Sequence, residues 1–208
     1  MSKLLCCLVA VVSFTACGGS DAGPGTADSA TPQTTVGTIS GAPDLKDSVV
    51  AVDSLSTDHV DPPVSFSMSP SFGGAHYPFW QNCGFYNIPV IEGAATHSLE
   101  HGVVWITYNV ELLTDAELDE LREMASANDR LLISPYDQAD PLILTAWGAQ
   151  RSGGDMRPGD ANVDSFIDQW QDNPELAEAG ARCSGAAGFP PDDVRTLESG
   201  EVAPEEYI

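Results

Sequence analysis

The chain has 208 residues, with 8 Lys and Arg against 31 Asp and Glu, so its formal net charge at pH 7 is −23. This sign excludes nucleic acid as a partner, because a phosphate backbone demands a basic surface. An acidic surface keeps a domain soluble and raises the local cation concentration, but it does not create a specific site by itself.

The N-terminus has the pattern of an export signal. Lys3 precedes an apolar run from Leu4 to Val12, and small residues lead to Cys17. The run is too short to span a bilayer, and its end resembles a bacterial lipobox, in which the cysteine is lipidated and becomes the mature N-terminus. We therefore expect a lipoprotein signal peptide over 1–16 and a membrane contact made only through the lipid on Cys17. Gly18, where an inner-membrane lipoprotein commonly has Asp, favours the outer membrane or the cell surface.

The rest of the chain divides by composition into three parts. Residues 17–61 are rich in Gly, Ala, Ser, Thr and Asp, which predicts a disordered tether, and Val49–Val52 is its one apolar patch, either a short strand or a docking segment. Residues 62–188 are long enough for one hydrophobic core but not for two. Residues 189–208 are Pro-rich and acidic, which predicts a disordered acidic tail.

Within the core, apolar periodicity predicts five elements in chain order. A β-branched and aromatic run predicts a buried strand over 103–108, and a capping box from Thr114 to Glu117 starts a helix over 115–127. Two further strands are predicted over 130–134 and 142–147, and an amphipathic helix begins near Asn162 and stops before Pro174. The expected fold is α+β, a single compact domain with a small β-sheet and two or three helices.

All four histidines fall between positions 59 and 101. His97 and His101 are four residues apart, so one helical turn would point both rings the same way, as a shared metal ion requires. Histidines that cap, hydrogen-bond or lie half-buried without binding a ligand are the structural alternative.

A second dense motif, Gly73-Gly74-Ala75-His76-Tyr77-Pro78-Phe79-Trp80-Gln81-Asn82-Cys83-Gly84, combines flexible glycines with a stiffening proline. Together with Asp58-His59-Val60, Tyr86, the segment from His97 to Gly102 and Ala146-Trp147-Gly148, it resembles the bacterial domain-of-unknown-function family DUF3105 over about residues 58–170. The resemblance implies an exported or membrane-anchored bacterial protein and no established activity. One departure is Ser71-Phe72-Gly73-Gly74, where the family pattern is closer to Pro-Pro-Thr-Ser-Gly.

Taken with this resemblance, the candidate metal ligands are His59, His76, His97 and His101. A set of imidazoles without an obligatory carboxylate suits copper or zinc. Met156 is a further candidate, and its thioether would favour copper, whereas packing in a gap is the ordinary role of a methionine. Glu100 is expected to orient one of the histidines from outside the ligand set.

Five cysteines are present, and three of them are accounted for at the N-terminus. Cys6 and Cys7 leave with the signal, and Cys17 carries acyl chains. Cys83 and Cys183 remain, and in an oxidising compartment two such thiols predict a disulfide, with a metal–thiolate role as the minority interpretation.

The sequence therefore predicts a lipid-anchored, extracytoplasmic bacterial protein that binds copper or zinc through a histidine cluster. One alternative is a small metal-dependent hydrolase, because His97, Glu100 and His101 fit the pattern H-x-x-E-H. Pro89 and Gly93 precede that motif closely and Gly102 ends it, which leaves only one or two helical turns and argues against an enzyme. The other alternative is a metal-free interaction module of the cell envelope, with a recognition surface built from Tyr77, Phe79, Trp80, Phe85 and Tyr86.

Overall fold

The computed structural model describes residues 34–36, 49–52 and 54–187. The predicted signal peptide, Cys17, the predicted acidic tail and most of the predicted tether lie outside the described residues. Among the described helices, each is too short or too polar to cross a lipid bilayer.

A mixed sheet is the centre of the described fold. Its strands, in chain order, are β1 Thr34–Val36, β2 Val49–Val52, β3 Gly84–Phe85, β4 Val104–Tyr108, β5 Leu131–Pro135, β6 Leu142–Ala146 and β7 Ala149–Arg151. Across the sheet their order is β1-β2-β7-β6-β4-β5-β3, with β5 parallel to both β3 and β4 and the other neighbours antiparallel. The apolar patch Val49–Val52 is thus a strand, paired with β7.

Three helices pack on this sheet within the described residues: α1 Glu92–Glu100, α2 Asp115–Ala127 and α3 Ala161–Trp170. The capping box at the start of α2 forms as predicted, since the Thr114 hydroxyl accepts from the Glu117 backbone N–H and the Glu117 carboxylate accepts from the Thr114 N–H. The α+β class predicted from the sequence is confirmed, as are both amphipathic helices and the three longer strands.

The sheet separates two apolar clusters because successive side chains of a strand point to opposite faces. Val104 and Ile106 of β4 contact the cluster beneath α2 and α3, which includes Leu121 and Phe166. Trp105, between them, belongs to the other cluster, with Leu99 of α1. Each of these side chains is almost fully buried, which stabilises the fold by about 1.5–3 kcal/mol per side chain. The two faces therefore have separate packing.

Cys83 and Cys183 are joined, with their Cα atoms 5.3 Å apart, so the predicted disulfide is confirmed. The Cys83 backbone N–H also donates to the Cys183 carbonyl at 2.9 Å. This bond fastens the segment that follows α3 against the α1 side of the sheet.

The aromatic residues considered as a recognition surface are partly core. Phe85 and Tyr86 are only 4% and 2% exposed and pack in opposite apolar clusters. Trp80 lies beside the histidines described below, with its ring centroid 5.2 Å from that of His101.

Candidate metal centre

The structure brings all four histidines together. His97 lies in the last turn of α1, and His101 is the residue at which that helix ends. Gly102 follows with φ +92°, a left-handed conformation that stops the helix, and a Cβ atom there would lie 3.1 Å from the Asp172 Cα atom. The four-residue spacing therefore puts both rings on one side of the turn, with centroids 4.7 Å apart.

His59 and His76 reach the same place from two loop segments. These segments form an isolated parallel bridge, in which the Val60 N–H donates to the His76 carbonyl at 2.8 Å and the His76 N–H donates to the Asp58 carbonyl at 3.0 Å. The His76 ring centroid lies 4.9 Å from those of His59 and His97. No helical spacing relates these two residues to α1, so only the fold unites them.

Three of the rings are fixed by backbone carbonyls. The Nδ1 atoms of His76, His97 and His101 lie 2.8, 2.7 and 2.9 Å from the carbonyl oxygens of Gly74, Tyr77 and Arg182. A carbonyl only accepts hydrogen bonds, so each Nδ1 carries the proton and donates. In the neutral ring Nε2 then holds a free lone pair, the form in which histidine binds metals.

Gly93 of α1 lies directly against the Tyr77 ring, where only a residue without a side chain fits. A Cβ atom at Gly93 would lie 2.8 Å from the Tyr77 ring, so α1 packs directly on the residue whose carbonyl holds His97. Any side chain at position 93 would displace Tyr77 and with it the orientation of the His97 ring.

Glu178, which the sequence did not single out, completes the cluster. Its Oε2 atom lies 3.2 Å from the Nε2 of His97 and 3.0 Å from the Nε2 of His101, and its Oε1 atom lies 4.0 Å from the Nε2 of His59. The loop that carries it is held by the Gly180 N–H, which donates to the His101 carbonyl at 3.1 Å. Glu178 is one of 31 acidic residues, and its one distinguishing feature in the sequence is that Cys183 follows five residues later.

Glu100 lies against His76 rather than between His97 and His101. Its Oε2 atom is 3.2 Å from the His76 Nε2, and both side chains are almost inaccessible to solvent. Neither the His76 Nε2 nor the Glu100 Oε1 has a hydrogen-bond partner. The contact is with the ring nitrogen that faces the cluster, which makes Glu100 a candidate ligand in its own right.

Burial sets the protonation of the cluster. It lowers the pKa of His76 to about 4 and the pKa of His97 and His101 below the ordinary 6.5, so these rings are neutral at pH 7. Burial raises the pKa of Glu100 to about 7, and the neighbouring Glu178 carboxylate adds to this rise. Burial also acts to raise the pKa of Glu178, but the imidazoles of His97 and His101 outweigh it, so the net direction is downward.

Met156 lies elsewhere. It is 3% exposed and packs in the apolar cluster beneath α2 and α3, on the face of the sheet opposite α1. The suggestion that its thioether joins the histidines is therefore wrong, because the sheet stands between them. Its role is to fill the core.

The histidine cluster has one open side. His59 and Glu178 are 38% and 37% exposed, whereas His76, His97 and His101 are at most 4% exposed in their side chains. Trp147 lies against His76, with its ring edge-on at a centroid distance of 5.6 Å. Trp147 also lines an adjoining cleft of about 510 Å³, together with residues next to the cluster such as Thr57 and Ala177.

These side chains form three overlapping groups whose donor atoms lie within 4.8 Å of one another: His59, His76 and His97; His97, His101 and Glu178; and His59, Glu100 and Glu178. Such groups can hold a metal ion. Imidazole nitrogens with carboxylate oxygens suit Zn(II), Cu(II) and other borderline divalent ions.

Comparison with known proteins gives a family and no activity. Residues 59–185 match the family model described as "Protein of unknown function (DUF3105)". No curated protein and no solved structure matches the chain. The matched range begins at His59 and extends past Glu178, so it contains the whole cluster. The chain belongs to the DUF3105 family.

Proposed function

We propose that this DUF3105 protein binds a divalent transition-metal ion through His97, His101 and Glu178. One observation carries the proposal. The Nε2 atoms of His97 and His101 both face the Oε2 atom of Glu178, at 3.2 and 3.0 Å, although both Nδ1 atoms already carry the ring protons. In the neutral form of these rings, two lone pairs point at a carboxylate, and a cation is what would make this arrangement favourable.

The spacing supports a shared ion. Ligands about 2.0–2.2 Å from one metal ion lie roughly 3.0–3.5 Å from each other at tetrahedral or octahedral angles. The two distances to Glu178 Oε2 fall in this range. The carbonyl anchors on Nδ1 supply the outer hydrogen bonds that metal-binding histidines normally make.

Zinc or copper(II) fits this donor set. Two soft donors that could have favoured copper(I) do not take part, because Met156 lies on the opposite face of the sheet and Cys183 is bonded to Cys83. The acidic chain would concentrate either cation near the open side of the cluster.

The same proposal includes location. The signal sequence and Cys17 support a lipid-anchored protein of the bacterial cell envelope, at the outer membrane or cell surface. There the domain would capture metal outside the cytoplasm.

A metal-dependent hydrolase is the second candidate, and one observation favours it. The cleft of about 510 Å³ adjoins the cluster through Trp147 and would admit a small substrate. In that chemistry a carboxylate activates metal-bound water, so Glu100→Gln would abolish hydrolysis while metal stays bound to His97 and His101.

Metal binding is tested by elemental analysis and calorimetric titration of the purified full-length protein with Zn(II) and Cu(II). His97→Ala or His101→Ala should weaken binding more than about 100-fold, beyond the 10–100-fold typical when only an outer hydrogen-bonding partner is lost. Glu175→Gln, an exposed change on the same loop as Glu178, is the matched control and should bind as the wild type does. Equal binding by the wild type and both histidine variants would contradict the proposal.

A further inference from the structure

We propose that the cluster holds a second metal ion, bound by His59, His76 and Glu100 and linked to the first through the Glu178 carboxylate. This inference rests on the proposed function, since it adds a position to a site already taken to bind one ion. It assigns to a second ion the donors that the first ion does not use, which are His59, His76 and Glu100.

The first argument is that a complete set of donors is left over. Once His97, His101 and Glu178 are assigned, the His76 Nε2 and the Glu100 Oε1 still lie in the cluster with no hydrogen-bond partner. The residues themselves are 0% and 1% exposed. Buried polar atoms without partners are costly and uncommon, and a cation bound by the His76 Nε2 and the Glu100 carboxylate would offset this cost.

The second argument comes from the planes of the rings. A metal ion binds an imidazole nitrogen in the plane of its ring, so two histidines can share an ion only where their ring planes meet near both nitrogens. His59 and His97 are stacked, with an interplanar angle of 10° and centroids 4.7 Å apart. Nearly parallel stacked planes are not directed at one point, which favours assigning these two histidines to different ions, although their donor atoms lie within 4.8 Å of each other.

The angles between ring planes pair His97 with His101 and His59 with His76. The His97 and His101 rings are at 87° to each other, and the His59 and His76 rings are at 76°. The ring planes of both pairs therefore intersect, and within each pair the donor atoms lie within 4.8 Å of each other. The Glu100 Oε2 atom, 3.2 Å from the His76 Nε2, is spaced as a ligand of the same ion as His76.

Glu178 is placed to join the two positions. Its Oε2 atom faces His97 and His101, whereas its Oε1 atom faces His59 at 4.0 Å. One oxygen is thus directed to each position. Carboxylate-bridged ions in proteins lie about 3.5–4 Å apart, a separation that one carboxylate spans.

The test uses Cu(II) as the probe on the full-length protein after removal of metal with a chelator. Elemental analysis counts copper per chain, and electron paramagnetic resonance counts unpaired spins. We expect about two copper ions per wild-type chain and a spin count well below the copper content, because ions bridged at this distance couple magnetically.

Variants locate the second position. His59→Ala, at an exposed residue where a folding defect is not expected, and Glu100→Gln should each leave about one copper ion per chain with a full spin count. Asp58→Asn is the matched control, because it removes a charge beside His59 without removing a donor of the cluster, and it should retain two coupled ions. Circular dichroism of each variant verifies its fold.

The outcomes separate this inference from the proposed function. One copper ion per wild-type chain, unchanged in His59→Ala and Glu100→Gln, would overturn the second position and leave the first intact. Two ions with a full spin count would overturn the Glu178 bridge. No bound copper in the wild type would overturn both.

Discussion

Replacing Glu100 by Gln should stabilise the metal-free protein, and the gain should grow with pH. Burial raises the pKa of Glu100 to about 7, against an ordinary value of 4.5. Between these values the folded state keeps a proton that the unfolded state has released, so the free energy of unfolding falls as the pH rises through this window and stays low above it. Gln is neutral throughout and carries no such penalty.

The size of the effect follows from the two pKa values. At about 1.4 kcal/mol per tenfold change in the proton dissociation constant, the carboxylate destabilises the folded state by about 3 kcal/mol at pH 8 and by about 1 kcal/mol at pH 5. The advantage of the variant should therefore widen by roughly 2–3 kcal/mol between pH 5 and pH 8. Burial lowers the pKa of His76 to about 4, so this residue destabilises both proteins as the pH falls below about 6.5.

Urea unfolding of chelator-treated protein with its disulfide intact measures this difference, by linear extrapolation at each pH. Glu123→Gln, an exposed change on α2, is the control and should follow the pH dependence of the wild type. The reasoning is refuted if the difference between Glu100→Gln and wild type is the same at both pH values, or if the variant is the less stable protein at pH 8.

Three further predictions concern the disulfide, the anchor and the fold. Thiol titration of the denatured, unreduced protein without its signal should find no free sulfhydryl from Cys83 or Cys183, and two titratable thiols would contradict the disulfide. Replacing both cysteines by Ser should lower the free energy of unfolding by up to about 4–5 kcal/mol in the chain-entropy model. Cys17→Ala should move the protein from the detergent phase to the aqueous phase on detergent partitioning, and equal behaviour of variant and wild type would speak for an ordinary secreted signal. Thr114→Ala should lower the free energy of unfolding by about 1 kcal/mol in chemical denaturation, because the α2 capping box is lost, and an unchanged stability would mean that solvent replaces it.

The longer elements could be predicted from sequence because their capping residues and apolar patterns indicate the same element. The capping box at Thr114 starts α2 where the pattern predicted, and the apolar runs of β4, β5 and β6 are long enough to be recognised. Three of the described strands carried no such signal. β1 and β3 have three and two residues. β7 contains Gln150 and Arg151, polar residues that are nevertheless buried, and the Gln150 amide donates to the Pro70 carbonyl at 2.8 Å.

Residue spacing alone predicted only that His97 and His101 are neighbours, whereas His59 and His76 were assigned with the help of the family resemblance, and the structure brings all four together. The spacing of His97 and His101 indicated a shared side of one helical turn, and the structure has that turn. Glu178 was missed because it comes from a loop brought to α1 by tertiary contacts and the nearby disulfide, neither of which leaves a local pattern. Met156 was misplaced for a related reason, since a loop residue gives no periodicity from which its face of the sheet can be read.

The parallel bridge between His59 and His76 has a mechanical consequence. If the chain is pulled from its ends, β1 and β2 lie towards the sheet edge where peeling begins, and the next backbone pairing along the chain is the bridge between His59 and His76. An ion that holds His59 to His76 and Glu178 would bear the load before the central strands are strained. The force needed to open the domain should then report its metal content, a quantity that single-molecule extension with and without chelator would measure.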